Sequence, residues 1–579
     1  MAKQNPAALT VENNLLGSTN FNMSCSRSTT MAVMLATPIY AKEILPGDKW
    51  RIKPKARIRT AVPFNTALMG SFSLQLAWFF EPDTNLYGFM DNNMQSSAQQ
   101  FNNASLHYFT VGTPSDGGSV YQFTRNNGPG TLANYLYFPA GFRPQFYGDS
   151  TAAVSDKRFC AHRLYTYWDI MRNYYVNRQL EDVPVIQDSN AFPDEPTSPT
   201  GRYVFVNVRS LDRIFIRLRS FSVDSGGFGD DAAKISMPNN TAWSALWSAF
   251  TGSAFGSDSE DGGERLSSNA GLFCTNFRSD VYTRVMAEGS GFESTITISN
   301  NTTSYNQIIG ASRFQAFINN WDITGGRFSD MMRFRYGVDV GSKTDRPYLL
   351  SVETVPLSVQ DMRTTANTSG KAAASQVSFI DVGTRLNKIS FNSSVSGTLM
   401  CIATIIPNVN YSEGIEREVM ASKFMDLYQP EYANVSFENM PRPVFSALPD
   451  SRTFNHAANL DSSETTYEPL DPSSGVARNI AWWHYMTDVN RTYGHLSSGE
   501  SAETWVINRS FRNYTVNGDV NDEWIENRRF LFTTYGRPNM VNYLFADTSA
   551  DSQNFIVQLG LDMRNIRRPI PKFKLPYAY

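Results

Sequence analysis

Five cationic side chains occupy every odd position from 51 to 59, and cations at this spacing can bind a row of phosphates or carboxylates. The five are Arg51, Lys53, Lys55, Arg57 and Arg59. The even positions Ile52, Ala56 and Ile58 are apolar, and alternation with period two is typical of a strand with one buried face. Same-face side chains repeat about every 6.6 Å, so the cations form a straight row. The row therefore faces a polyanion, an acidic neighbouring subunit or water.

Pro54 interrupts the apolar positions of this strand. Because proline cannot donate to a central ladder, it predicts an edge strand or a bulge.

Two further segments carry similar chemistry. A strand predicted within 204–218 has a second basic face, and the end of the chain is basic among prolines and aromatics. Extended basic segments with aromatics suit single-stranded nucleic acid, whereas an arm docked on a neighbouring subunit would have the same composition. The candidate contacts are Arg213, Arg217 and Arg219 in the first segment and Arg567, Arg568, Lys572 and Lys574 in the second.

An apolar island lies in a stretch rich in Gly, Ser and Asp, from 225 to 269. Its large side chains are Trp243, Trp247 and Phe250. An exposed insertion with such residues predicts a projecting contact for a host receptor or a symmetry mate. The alternative is a small hydrophobic cluster under a loop.

Catalytic motifs are absent from the sequence. It contains no GxxxxGK[ST], GxGxxG, HExxH or GxSxG motif. The five histidines are scattered and the four cysteines form no CxxC pair, so we predict no metal site and no cofactor. Trp482, Trp483 and His484 could stack on a ligand, but a packed loop or a subunit contact needs fewer features. We expect a protein that is not an enzyme.

Amino-acid composition narrows the class of protein further. The 579 residues carry a net charge of −3, with 18% charged and 13% aromatic residues. Such a chain suits strands, turns and broad protein contacts, and affinity for nucleic acid must come from local patches. The N-terminal residues have no hydrophobic signal segment, and no apolar run reaches the length of a membrane span. We expect a soluble protein made in the cytoplasm, without membrane insertion.

Periodicity predicts the elements that position these residues. Strands are expected at 71–80, 399–406 and 555–563, and helices at 162–180, from 304 to 321 and at 328–336. Strand-like segments at both ends of the chain favour a mainly β fold, an antiparallel jelly roll with long insertions. We divide the chain into an extended N-terminal arm (1–30), first strands, loops and a helix (31–181), an inserted loop (182–270), helices and core strands (271–434), a loop-rich insertion (435–500), and a last core strand with a basic tail (501–579).

Several motifs resemble one protein family. PIYAKEILPGDKW at 38–50, RFSDMMRFRYGV at 327–338, RPYL at 346–349 and RPIP at 568–571 are similar, in order and spacing, to segments of the major capsid proteins of microviruses. These are small icosahedral bacteriophages with single-stranded DNA (Microviridae), and the gokushovirus-like branch is nearest. The resemblance covers most of the chain outside the insertions near 182–270 and 435–480.

The resemblance implies a single eight-stranded antiparallel jelly roll with a few short helices, assembled as a T=1 icosahedral capsid in the host bacterial cytoplasm. It also implies these partners: other copies of the chain, an internal scaffolding protein, a small basic DNA-packaging protein, a pilot protein and the single-stranded DNA genome. A host surface receptor is a further expected partner, although host contact is the property that transfers least from the family. Residues 182–270 are expected to form a surface protrusion. A carbohydrate-binding or carbohydrate-active jelly roll is the alternative function.

Overall fold

The fold is mainly β, with antiparallel sheets and few helices, as the sequence predicts. The computed structural model describes residues 18–86, 108–111, 129–139, 144–145, 158–176, 182–186, 203–207, 269, 271–275, 286–287, 309–310, 312–314, 346–363, 367–368, 371–372, 376–432, 437–441, 444, 475–497, 500–509, 539–547 and 552–570.

The strands of the first half of the chain include the longest predicted ones. They are β1 (Thr19–Phe21), β2 (Cys25–Met31), β3 (Thr37–Ile44), β4 (Lys49–Thr60), β5 (Phe72–Pro82), β6 (Tyr108–Val111), β7 (Pro144–Gln145), β8 (Arg158–Cys160), β9 (Asp182–Ile186), β10 (Tyr203–Asn207) and β11 (Met286–Ala287).

The strands of the second half pair partly with these strands and partly with one another. They are β12 (Tyr348–Leu357), β13 (Gln360–Arg363), β14 (Asn367–Thr368), β15 (Lys371–Ala372), β16 (Gln376–Phe379), β17 (Asp381–Arg385), β18 (Ile389–Asn392), β19 (Gly397–Pro407), β20 (Phe437–Pro441), β21 (Gly475–Ile480), β22 (Phe555–Asp562) and β23 (Ile566–Arg568).

Two sheets contain the long strands. In the larger sheet β22 and β23 pair with one side of β4, and β17 and β18 pair with its other side; β2 pairs with β22, and β1 pairs with β23. In the smaller sheet the order is β12-β5-β19-β3. All the pairings within these two sheets are antiparallel, and β4 and β22 come from opposite ends of the chain.

The main core lies between these sheets. Trp50, Ile52 and Ile58 of β4 belong to the same buried cluster as Leu399 and Cys401 of β19. Strand β19, expected at 399–406, is buried along its whole length. The side chains of β22 alternate between buried and more accessible positions, which confirms the strand predicted from periodicity at 555–563.

Strand β4 is central in its sheet, so the prediction of an edge strand from Pro54 is wrong. Strands β17 and β18 pair with one side of β4, and β22 and β23 pair with the other. Between β17 and β18 the neighbouring chain holds one more residue than the stretch of β4 opposite it, which contains Pro54. The carbonyl of Pro54 accepts from the Leu386 amide in the gap between β17 and β18. An extra residue in the partner is how a bulge accommodates proline in a sheet, so the bulge alternative is supported.

Four short helices are described: Asp83–Leu86, Leu132–Tyr135, His162–Ile170 and Asn539–Asn542. The third continues as a π turn, Met171–Tyr175, which packs on the smaller sheet through Phe79 and Tyr174, with ring centroids 4.9 Å apart. Val176 is extended, so this helix ends before the predicted position 180. Helical residues at 309–310 and 312–314 lie within the helix predicted from 304 to 321. The helix predicted at 328–336 lies outside the described residues.

Three predicted loops or arms contain strands instead. Residues 19–21 and 25–31 pair with β23 and β22 at the edge of the larger sheet, so this part of the expected arm belongs to the sheet. The segment 182–200, expected to be loop, contains β9, which forms a hairpin with β10. Strands β20 and β21 lie at the two ends of the insertion expected at 435–480, within it, and pair with each other. Short strands rich in polar residues or proline have weak periodicity, which explains these errors.

In the part of the chain that the structure describes, no helix combines the length and the apolar character needed to cross a membrane.

Candidate functional site

The candidate site is built on the exposed face of β4. Alternation buries Trp50, Ile52 and Ile58 against the core and turns the odd-numbered side chains outward. The structure adds one cation to the five predicted ones, because Lys49 is exposed on the same face. We call this set the basic row: Lys49, Arg51, Lys53, Lys55, Arg57 and Arg59. Five same-face steps give it a length of roughly 34 Å.

Neighbouring strands add two more cations to this face. Arg385 of β17 lies directly opposite Lys55, and Arg567 of β23 lies directly opposite Lys49. The Arg567 Nε donates to the Ser18 hydroxyl at 2.7 Å, so Arg567 is held beside the row by a neutral partner. Like charges that face each other across a ladder repel, and an anion bound between them relieves this repulsion.

Two carboxylates lie on the same face. Asp381 of β17 is opposite Arg59 and accepts from the guanidinium groups of both Arg57 and Arg59, at 3.0–3.3 Å. Asp562 of β22 is opposite Lys53, but its ion pair is with Arg564, at 3.2 Å. Only Asp381, among the described residues, forms an ion pair with the basic row.

These contacts leave the face strongly cationic. Eight cations lie against two carboxylates, and no ion pair to a described residue engages Lys49, Arg51, Lys53 or Lys55. The guanidinium groups of Arg57 and Arg59 bond to Asp381 and hold its pKa below the ordinary value of an aspartate. Asp381 is thus an anion at neutral pH. An ordered cationic row on an exposed sheet face can bind a polyanion through ionic contacts.

Arg568 has a different environment from its neighbour Arg567. Its guanidinium lies 3.0 Å from the carboxylate of Asp48, whose side chain is fully buried. Asp48 also accepts from the Leu45 amide and from the indole of Trp50. The charge of Arg568 is therefore balanced within the protein, and this residue, predicted as a DNA or subunit contact, joins β23 to the start of β4.

The remaining predicted site residues are not described by the structure. Arg213, Arg217 and Arg219 of the second basic strand lie outside the described residues, as do Lys572 and Lys574 of the tail. The same is true of Trp243, Trp247 and Phe250 of the apolar island. Their proposed contacts stay predictions.

The residues that sequence reasoning missed are Lys49, Arg385, Asp381 and Asp48. Lys49 could have been found by extending the alternation across Trp50. Asp381 and Arg59 are separated by 322 residues, and local periodicity carries no information about such a pair.

A second surface feature involves the Trp482–Trp483–His484 run. Trp483 is buried, with 5% of its surface exposed, and Trp482 lies 5.4 Å from the ring of Tyr428 and 6.2 Å from that of Tyr485. Trp482 adopts left-handed backbone angles, with φ of 63°. The run is partly a packed loop, as expected, and partly an accessible aromatic cluster.

No group of three or more His, Cys, Asp or Glu side chains that could hold a metal ion occurs in the described parts of the chain.

Comparison with known proteins finds neither a family model nor a curated relative that matches this chain.

Proposed function

We propose that this chain is a major capsid protein of the microvirus type, whose copies assemble into a closed icosahedral shell around a single-stranded DNA genome. The observation that carries the proposal is the path of the chain through the two main sheets, combined with the cationic face on one of them. The motifs at 38–50, 327–338 and 568–571 resemble the same family.

The strand order supports an eight-stranded jelly roll. If β17 and β18 are counted as one interrupted strand, the larger sheet contains the series β2-β22-β4-β17/β18 and the smaller one the series β3-β19-β5-β12. Successive long strands change sheet at every step except from β5 to β12. Two four-stranded antiparallel sheets that pair segments remote in sequence are expected of a jelly roll, an architecture common among viral shells.

The basic row supports an inward orientation of the larger sheet. A packaged genome brings a high density of phosphates to the inner wall of a shell, and the row offers cations in a straight line with little internal compensation. Binding through phosphates is independent of base sequence, which suits a wall that must contact any part of a genome.

Exposed apolar side chains support contacts between copies. The 3-10 turns Arg417–Met420 and Phe424–Asp426 bury none of their residues within the chain, and Phe424, Val419 and Met425 are 86%, 72% and 61% exposed. Side chains of this kind favour coverage by another protein surface. In a shell with point-group symmetry, the same contact repeats until the shell closes.

Assembly is tested by expressing the chain with and without an internal scaffolding protein and measuring particle size by sedimentation and electron microscopy. The proposal predicts closed particles of megadalton mass. A chain that remains monomeric under all conditions contradicts it.

Reversing the charges of Lys53, Lys55 and Arg57 to Glu should lower the DNA content of particles, and normal DNA content would show that the row has another orientation.

A carbohydrate-binding function is the second candidate, favoured by the aromatic cluster of Tyr428, Trp482 and Tyr485. Aromatic faces of this kind can pack against the apolar faces of sugar rings. Binding of the purified chain to a glycan array, abolished by Trp482→Ala, would support it. An array without signal would dispose of it.

A further inference from the structure

The basic row consists of two segments with different electrostatic environments. In the locked segment, Arg57 and Arg59 share the carboxylate of Asp381. In the open segment, Lys49, Arg51, Lys53 and Lys55 have no ion pair with any described residue, and Arg567 and Arg385 stand opposite its two ends. One side chain from a strand more than 300 residues away therefore separates the two segments.

The geometry around Asp381 allows its single carboxylate to bond to the guanidinium groups of both Arg57 and Arg59. Its register position is opposite Arg59, and Gly383, opposite Arg57, has no side chain to hinder access to the second guanidinium. One carboxylate oxygen accepts from the Nε atoms of both arginines, at 3.2 and 3.0 Å, and the other accepts from the Arg57 terminal nitrogen at 3.3 Å. The carboxylate thus occupies the donors that a phosphate would use.

We propose that the Asp381 carboxylate competes with phosphate for Arg57 and Arg59. The basic row then binds single-stranded nucleic acid through its open segment, and the locked segment binds only when the carboxylate is removed or displaced. This inference rests on the proposed function for the identity of the polyanion. Arg57 and Arg59 are about half exposed, at 53% and 48%. A bound strand can therefore reach them once the carboxylate is removed or displaced.

A single strand fits the face better than an acidic protein edge. Same-face cations recur about every 6.8 Å over four successive positions of the open segment, and an extended phosphodiester chain carries charge at regular, short intervals along its whole length. The flanking positions of β2 and β22 on this face are mainly small or polar, such as Ser26, Ser28 and Gln558. Contact would therefore be made through phosphates, with little base stacking.

The competition has a measurable consequence in salt. Each phosphate neutralised on a single strand contributes about −0.7 to the slope of log K against log salt. Asp381→Asn removes one compensating charge from Arg57 and Arg59, so it should steepen the slope by about 0.7. It should also tighten binding at low salt by about two- to fivefold, because the row gains one net exposed ionic contact.

The test uses the purified, unassembled full-length chain and a fluorescein-labelled 30-nucleotide oligo-dT, with anisotropy measured over a salt series. The matched control is Asp562→Asn, which removes a carboxylate from the same face that pairs with Arg564 instead of the row. Asp381→Asn should tighten binding and steepen the slope, and Asp562→Asn should change both much less. In a background with Arg57→Gln and Arg59→Gln, Asp381→Asn should have only a small effect, like that of Asp562→Asn.

A second variant tests the same idea in the opposite direction. Ser390 of β18 is exposed and lies opposite Arg51. Ser390→Asp should therefore give Arg51 a carboxylate partner in the open segment. We expect weaker binding and a slope shallower by about 0.7. This variant keeps the test decisive even if Asp381→Asn folds poorly.

The outcomes separate the inference from the proposed function. If Lys53→Gln with Lys55→Gln weakens binding but Asp381→Asn and Ser390→Asp change nothing, the competitor role is overturned while the DNA-binding row stands. If oligo-dT does not bind, or if duplex DNA of the same length or an acidic peptide binds more tightly, the single-strand assignment is overturned. Failure of particle formation, measured separately, would contradict the shell proposal alone.

Discussion

The guanidinium of Arg568 lies 3.0 Å from the buried carboxylate of Asp48, a residue 520 positions earlier in the chain. The same arginine donates to the backbone carbonyl of Glu43. This pair attaches the last described strand, β23, to the turn that precedes the basic row. The two adjacent arginines therefore have separate roles: Arg568 attaches β23 to the turn before β4, and Arg567 presents its charge on the exposed face.

The first prediction compares these two arginines. Arg568→Gln leaves the buried Asp48 carboxylate without its cation, so we expect the free energy of unfolding to fall by about 3–5 kcal/mol. Arg567→Gln, at an exposed position, should change it by less than about 0.5 kcal/mol. Chemical denaturation of the unassembled chain, followed by tryptophan fluorescence, measures both. Equal effects of the two substitutions would contradict the assignment of Arg568 to the sheet.

The second prediction concerns the contact between β5 and β19. A Cβ atom at Gly397 would lie 2.2 Å from the Glu81 carbonyl oxygen and 2.8 Å from the ring of Phe80. Because backbone must move to admit it, Gly397→Ala should destabilise the protein by about 3 kcal/mol. Gly383→Ala is the control, since nothing lies within 4 Å of a Cβ at that position. Thermal unfolding of both variants tests this, and a tolerated Gly397→Ala would show that the strands are farther apart than described.

The third prediction concerns thiol reactivity. Burial raises the pKa of the Cys401 thiol far above its ordinary value, and the thiolate is the reactive form. Cys401 should therefore resist iodoacetamide in the folded chain at any pH that preserves the fold, whereas the exposed Cys160 should react. Peptide mass spectrometry after brief labelling distinguishes the two. Rapid labelling of Cys401 in the folded chain would contradict its placement in the core.

The fourth prediction concerns the pH dependence of the locked segment. Hydrogen bonds from Arg57 and Arg59 lower the pKa of Asp381. Its stabilising contribution is therefore complete above the pKa of an unfolded aspartate, about 3.9, and is lost as the pH falls through the lower folded pKa. The difference in unfolding temperature between the native chain and Asp381→Asn should be constant from neutral pH to about pH 5. It should shrink only in stronger acid, and a difference that disappears near pH 6 would contradict the pairing.

Particular residues show which features local sequence could predict. The alternation at 51–59 was sufficient to predict a strand with a basic face, because one buried face imposes a period of two on its residues. Pro54 predicted an edge strand or a bulge; the edge strand is wrong, and the neighbouring chain supplies the bulge that makes a central proline tolerable. The partners Asp381 and Asp48 depend on which distant strands become neighbours. Without the sheet topology, Arg568 could not be distinguished from Arg567.

The most direct test of the central claim is an icosahedral cryo-electron microscopy reconstruction of DNA-filled particles assembled from this chain. The claim predicts that the face carrying Lys49–Arg59 lines the inner wall, with density for nucleic acid within ionic reach of Lys53 and Lys55. A reconstruction in which this face forms the outer surface, or is covered by another subunit, would contradict it.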